Sequence, residues 1–231
     1  MAHRQRKESL PPSLPPGADH ALYAGVVHVI DHPLVQAELT ALRCRNCPGP
    51  EFRQRLRRIT SLMVPAVTAD FETKVVGCET PLEMTSGVET IRRVILAPVL
   101  RAGLGFLDGF FDLLPGAAVA HIGLARNEET LLPEPYYIKT PPILAESEVI
   151  LLDPMLATGG SAVEAARRLI DLGATHLRFA CLVAAPEGIA TFEAAWPDIP
   201  IFTAAIDRGL NDLGYILPGL GDAGDRLFGT A

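Results

Sequence analysis

Apolar residues along this chain fall into two patterns. Short, nearly uninterrupted apolar runs occur at 26–30, 94–100, 118–125, 149–152, 177–184 and 201–206. Runs of that length suit strands buried on both sides. Between them apolar residues return every three or four positions, the spacing of a helix with one buried face. Helices are expected at 51–69, where Phe52, Leu56, Ile59 and Met63 share a face, and at 104–114, 162–172 and 186–196. Another should open at Asp31-His32-Pro33, with Asp31 or His32 as its cap and Pro33 in the first turn. Pro65 should kink or end the 51–69 helix. Arg53, Arg55, Arg57 and Arg58 lie mostly off its apolar face and read as a solvated surface or a subunit contact.

Strands alternating with helices imply an α/β fold, a mostly parallel twisted sheet with helices on both faces. Two segments interrupt the alternation. Residues 71–90 are mixed in character and read as a small hood or arm, a projecting hairpin. Residues 131–142, rich in proline and tyrosine and containing Lys139, read as a mobile flap. Residues 1–24, polar and then proline-rich, read as a flexible tail, which leaves 25–231 as one domain.

The chemistry concentrates where strands end. The run 149–152 is followed by Asp153-Pro154-Met155-Leu156-Ala157-Thr158-Gly159-Gly160-Ser161 and then by an amphipathic helix. A helix opening on small residues offers unpaired N–H groups and its positive dipole end to an anion. No Lys follows the glycines, so the loop is not a Walker A loop. An acid beside such a cradle suits a sugar phosphate: the carboxylate takes ribose hydroxyl protons and the loop takes the phosphate. The plain structural alternative is a strand–turn–helix connection capped by Ser161. Arg101 and Arg126 likewise follow strands, where a guanidinium fork can meet an anion. Near the C-terminus, Gly219 to Gly224 matches G-x-G-x-x-G, but only seven residues follow. A dinucleotide fold would need a helix, a second strand and a ribose-binding acid there. Glycine-dense backbone is better suited to wrapping a flat ligand.

Composition narrows the partners. A net charge of −7 on 231 residues argues against a nucleic-acid scaffold, so an anionic ligand must be drawn by local arginines and N–H groups. No apolar span is long enough to cross a bilayer, and the first residues lack the apolar core of a secretory signal. Cys44-Arg45-Asn46-Cys47 spells C-x-x-C without the second pair that a zinc site needs; a reducing cytoplasm fits the cysteines better.

The Asp153 to Ser161 segment closely resembles the phosphoribosyl-pyrophosphate (PRPP) loop of the uracil phosphoribosyltransferases. Pro154 stands where most of the wider group carry a second acid. Pro98-Val99-Leu100-Arg101-Ala102-Gly103 resembles the family's Pro-x-Leu-Arg-Ala-Gly, and 207–226 resembles its C-terminal signature. The resemblance runs from about residue 26 onward, with three motifs in order. It departs at Pro65-Ala66-Val67-Thr68, where relatives commonly carry Tyr-Glu-Ala-Thr.

The resemblance implies a type I phosphoribosyltransferase fold and the making of UMP and diphosphate from uracil and PRPP. It implies Mg²⁺, held mainly by substrate oxygens and water rather than by protein ligands. Arg101 and Arg126 are implied on the diphosphate and Asp153 on the ribose hydroxyls. Pro154, Met155 and Leu156 are implied in the PRPP loop, with Ala157, Thr158, Gly159, Gly160 and Ser161 on the 5-phosphate. Ile216, Gly221, Asp222 and Ala223 are implied on uracil, with Asp222 also near PRPP. Some members respond to GTP, though no effector site is legible here, and a homo-oligomer is expected. A non-catalytic RNA-binding regulator on the same fold would need a basic face that this chain does not display.

Overall fold

The computed structural model describes residues 27–126, 133–142 and 144–230; the expected tail at 1–24 lies outside them. In chain order the elements are β1 (Val27–Val29), α1 (Pro33–Arg43), α2 (Gly49–Val67), β2 (Thr73–Glu79), β3 (Met84–Thr90), β4 (Arg93–Leu100) and α3 (Leu104–Leu113). They continue with β5 (Ala118–Val119), β6 (His121–Arg126), β7 (Pro133–Lys139), β8 (Ser147–Leu152), β9 (Met155–Leu156), α4 (Gly160–Asp171), β10 (His176–Ala184) and α5 (Pro186–Ala195). The last are β11 (Ile201–Ile206), β12 (Gly209–Leu210), β13 (Ile216–Leu217) and α6 (Ala223–Phe228).

The central sheet runs β1-β11-β10-β8-β4-β6-β7, with β5 beside β4 and β9 beside β10. Every pairing in it is parallel except β6 with β7. The apolar runs are continuous because both faces are covered, and successive residues serve opposite cores. Leu96, Ile150, Leu152, Ala180 and Leu182 pack with α1, α2 and α3 through Leu39, Phe52 and Phe106. Ile95, Ala97, Val149, Leu151, Phe179 and Cys181 pack with α4 and α5 through Ala166, Leu169 and Phe192. A slip of one residue in β8 would exchange these sets. Phe52, Phe106, Phe110, Phe179 and Phe192 are fully buried, and each such side chain contributes roughly 1.5–3 kcal/mol by leaving water.

Local expectations meet the structure closely. His32 caps α1, its Nδ1 accepting from Leu34 N at 3.2 Å, with Pro33 in the first turn. Pro65 lies inside the last turn of α2, which stops at Val67. The 71–90 segment is a hairpin of β2 and β3. The arginines of α2 are more than a solvated face: Arg55 bridges Glu38 and Glu51, Arg58 meets Glu38, Arg57 meets Asp112 of α3, and Arg53 donates to Leu227 O. The described part of the 131–142 segment lies at the edge of the central sheet. It forms β7, an edge strand hydrogen-bonded to β6, because Pro133, Pro135 and exposed tyrosines are tolerated at a sheet edge. Residues 131 and 132 lie outside the described part.

The chain order of the sheet decides where a ligand can enter. From β4 the chain moves outward to β6 and β7, then returns across β4 to β8 and proceeds to β10 and β11. The connections leaving β4 and β8 therefore depart to opposite faces, α3 to one and α4 to the other. A crevice opens between the carboxyl ends of such strands, the usual ligand position in open α/β sheets.

Candidate active site

Strand β8 is buried throughout, and Asp153 follows its last residue, its N–H donating to Ala180 O at 3.2 Å. The chain then bulges. The Pro154 carbonyl accepts from both Leu182 N and Val183 N at 3.0 Å, and β9 resumes pairing with β10. Pro154 is buried and does not line the cleft described below; its carbonyl makes this step toward β10. Gly159 then turns the chain with φ +87°. A Cβ on it would lie 2.8 Å from Thr191 Cβ and 2.9 Å from Gly188 O, so both backbone conformation and packing demand glycine. No side chain caps α4: Gly159 is the N-cap and Ser161 sits inside the first turn. The orphan N–H groups of that turn remain for a ligand. Gly160 differs from its neighbour, since among the described residues a Cβ there would meet only Pro133 at 3.9 Å.

Asp153 is half-buried, and its Oδ1 accepts from Met155 N at 3.2 Å. Burial pushes its carboxyl up from 3.8 to about 7, and the Met155 N–H offsets only part of that. A desolvated carboxylate with one donor has unused acceptor capacity, which a ligand hydroxyl or a cation can satisfy.

Strand β4 leads into the turn Arg101-Ala102-Gly103, and the Leu100–Arg101 peptide is cis. A Cβ on Gly103 would lie 2.4 Å from Leu152 O, so glycine lets this turn press against the end of β8. Arg101 is exposed and meets Asp225 at 3.5 Å. Arg126 ends β6, placing its backbone at the same edge of the sheet; its side chain and residues 127–130 lie outside the described part.

The C-terminal segment returns over this edge. Strands β12 and β13 pair antiparallel, and Leu210 N donates to Glu187 Oε1 of α5 at 3.1 Å. Asn211 Oδ1 accepts from Leu213 N and Tyr215 N, fixing the turn between the strands. The G-x-G-x-x-G run is a tight turn, with positive φ at Gly219 and Gly221, that leads into α6. Asp222 caps α6 through Asp225 N at 2.8 Å.

These pieces enclose a cleft of about 270 Å³. The β8–α4 segment lines it with Asp153, Met155, Leu156, Ala157, Thr158, Gly159, Ser161 and Ala162, the C-terminal segment with Gly214, Tyr215, Ile216, Gly221, Asp222, Ala223 and Gly224, and the turn after β4 with Ala102. Most of the expected residues thus meet in one place. Pro154, Gly160 and Arg101 are not on the described wall.

Two residues to which sequence reading assigned no role hold the site together. Arg43 Nη1 and Nη2 contact Asp207 Oδ2 and Oδ1 at 2.7 Å, Arg43 Nη1 donates to Gly219 O at 2.8 Å, and Gly219 N donates to Asp207 Oδ2 at 2.8 Å. Both backbone groups of Gly219 are thus held, its carbonyl by Arg43 from α1 and its N–H by Asp207 after β11. Asp207 carried a usable signal, an acid following an apolar strand. Arg43 carried none, because its partner lies 164 residues away.

An open α/β sheet with an anion cradle and an acid at its switch point defines a protein built for a phosphorylated sugar or nucleotide. A sequence model described as uracil phosphoribosyltransferase matches residues 29–230. A uracil phosphoribosyltransferase of Acidovorax sp. (strain JS42) is 54% identical over 205 residues, which span 88% of this chain and 98% of that protein. One from Ligilactobacillus salivarius (strain UCC118) is 49% identical over 207 residues, 89% and 99% of the two chains. The solved structure of AQ2163 protein from Aquifex aeolicus superposes with a TM-score of 0.84 at 33% identity, covering 89% of this chain and 99% of that one. The chain belongs to the uracil phosphoribosyltransferase family.

Proposed function

We propose that the protein transfers the 5-phosphoribosyl group of PRPP to N1 of uracil, giving UMP and diphosphate. Beyond family membership, one observation carries this reading: the acid, the small-residue cradle and the backbone-rich C-terminal loop line a single cleft beside the Arg101 turn. In this reading the turn at 157–161 and the first N–H groups of α4 hold the 5-phosphate, and Asp153 accepts the ribose hydroxyls. Arg101 and Arg126 hold the diphosphate. Ile216, Gly221, Asp222 and Ala223 face the base, where backbone groups match the two carbonyls and N3–H of uracil.

The reaction breaks the bond from the anomeric carbon to diphosphate and forms the bond to N1, whose proton is released. Positive charge develops on the ribose ring and negative charge on the leaving group. The chain's task is alignment and charge stabilisation rather than covalent chemistry. Asp153 and Asp222 are the carboxylates on the described cleft wall, and among the described residues no group of three or more His, Cys, Asp or Glu is gathered to hold an ion. That set fits Mg²⁺ carried mainly on substrate oxygens and water. When bound, Mg²⁺ neutralises diphosphate charge.

Backbone donors cannot exchange roles with acceptors, so cytosine, with an amino group and a bare N3, leaves both positions mismatched. Sites built on such bonds reject a wrong partner by roughly 10⁴-fold. The test is kcat/KM for uracil, 5-fluorouracil, cytosine and hypoxanthine at saturating PRPP and Mg²⁺. Uracil and 5-fluorouracil should be used and the others refused. Equal use of cytosine or hypoxanthine overturns the base assignment, and nucleotide binding without any turnover would point to a regulator instead. Adding GTP at subsaturating PRPP tests an effector role in the same assay.

The cellular setting follows the same reading. No described helix is long and apolar enough to cross a membrane, and all four cysteines are free thiols, which supports a reducing cytoplasm. A second copy of the chain is the expected partner. The β2–β3 hairpin displays Val75, Leu82, Met84 and Val88, and an isolated two-stranded ribbon is marginal in water unless covered. Sedimentation should show a dimer or larger that Val75→Glu with Val88→Glu disrupts; a monomeric parent would refute this.

A further inference from the structure

Asp225 has no role in the reaction proposed above, yet it touches both halves of the site. Its backbone N–H donates to Asp222 Oδ1 at 2.8 Å, which ties it to the base-facing loop. Its Oδ1 accepts from Thr230 Oγ1 at 2.6 Å and lies 3.5 Å from Arg101 Nη2. Its carbonyl accepts from Gly229 N at 2.7 Å at the left-handed end of α6. The backbone of Asp225 is thus fixed by its own helix, while its carboxylate faces Thr230 and Arg101. Arg101 is the movable partner, with 57% of its side chain exposed against 33% for Asp225. The neighbouring backbones are also close: a Cβ on Gly224 would lie 3.9 Å from both Ala102 Cβ and Arg101 Nη2.

We propose that Asp225 is a positioning residue that aims Arg101 at the diphosphate and couples that arginine to the base loop. The inference rests on the reading that Arg101 binds diphosphate. A free arginine on an exposed turn samples many rotamers, and ordering it weakens binding by the entropy lost. A carboxylate 3.5 Å from Nη2 biases those rotamers toward one direction before substrate arrives. The guanidinium has five N–H donors, so it can keep Asp225 and still offer others to an anion. Because the backbone of Asp225 is held by Asp222, a base that orders the Asp222 loop also orders the anchor of Arg101.

The test is a double-mutant cycle on Arg101→Ala and Asp225→Asn, reading KM for PRPP, KM for uracil and kcat. Asn keeps an oxygen for Thr230 and the same backbone, so the fold of α6 is retained. A half-exposed ion pair implies a modest effect, about threefold to fivefold in kcat/KM for PRPP for Asp225→Asn in the wild-type background. In the Arg101→Ala background the second change should add nothing. Thr230→Ala, which removes the other side-chain partner of Asp225, should leave PRPP kinetics near wild type. Equal losses from Asp225→Asn in both backgrounds, or a loss from Thr230→Ala as large as from Asp225→Asn, would show that Asp225 only stabilises α6. If Arg101→Ala itself leaves PRPP kinetics unchanged, the diphosphate role of Arg101 falls first, a result the cycle separates from the failure of the anchor.

Discussion

Replacing Asp153 by Asn should make the ligand-free protein more stable and the enzyme far worse. The carboxyl follows a fully buried strand and receives one N–H, from Met155, which the Asn oxygen can still accept. Burial raises its pKa from 3.8 to about 7. The folded state therefore binds a proton more tightly than the unfolded chain, and this group's contribution to stability declines as pH rises from about 4 to 7. At about 1.36 kcal/mol per pKa unit, ionising Asp153 costs the fold at most roughly 4 kcal/mol at pH 8 and less than about 2 at pH 5. Urea unfolding of wild type and Asp153→Asn at both pH values measures the difference. The variant should gain more at pH 8 than at pH 5, while kcat/KM for PRPP collapses. Substrate should also draw the proton off: calorimetry of Mg–PRPP binding near pH 6.5, in buffers of different ionisation enthalpy, should show proton release that Asp153→Asn abolishes. A variant that is destabilised at both pH values, or whose gain ignores pH, refutes the desolvation argument.

Gly159→Ala should destabilise the fold by about 1 kcal/mol or more, because φ +87° and the Thr191 contact both oppose a Cβ. Gly160→Ala should leave the melting temperature unchanged and weaken PRPP binding alone, which thermal melts and titration calorimetry distinguish. Arg43→Met leaves Asp207 buried and uncompensated, so it should cost about 3–5 kcal/mol and raise KM for uracil more than KM for PRPP; equal rises would deny a role in setting the base loop. Arg101→Ala should lower kcat/KM for PRPP about tenfold or more, the scale of one charge-assisted hydrogen bond. Arg57→Ala, which breaks only an exposed pair with Asp112, should be kinetically silent.

Much of this molecule is legible in its sequence because its physics is local. A parallel sheet covered on both faces needs unbroken apolar strands, and the runs at 94–100, 149–152, 177–184 and 201–206 lie within or nearly coincide with β4, β8, β10 and β11. The cradle is equally local: a strand, an acid, small residues and an amphipathic helix must follow one another for the loop to exist, so Asp153 to Ser161 could be read in one line. The limits of that reading are also physical. Adjacent residues in a loop share a composition but not a conformation, so Gly159 and Gly160 look alike in sequence and only backbone angles separate them. Pro154 reads as part of the loop, whereas its carbonyl serves β10.

What tertiary structure alone decided is which segments meet. Strand order places the exits of β4 and β8 side by side and sends them to opposite faces, and that creates the crevice. The Arg43–Asp207–Gly219 clamp joins α1 to a loop more than 160 positions away, and Asp225 reaches from α6 to the turn after β4. Neither contact has a spacing that sequence could reveal, because each depends on two elements packing on one sheet rather than on the periodicity of either. Sequence thus determined the parts and their chemistry, while the long-range packing that brings charges within hydrogen-bond reach determined how those parts are aimed.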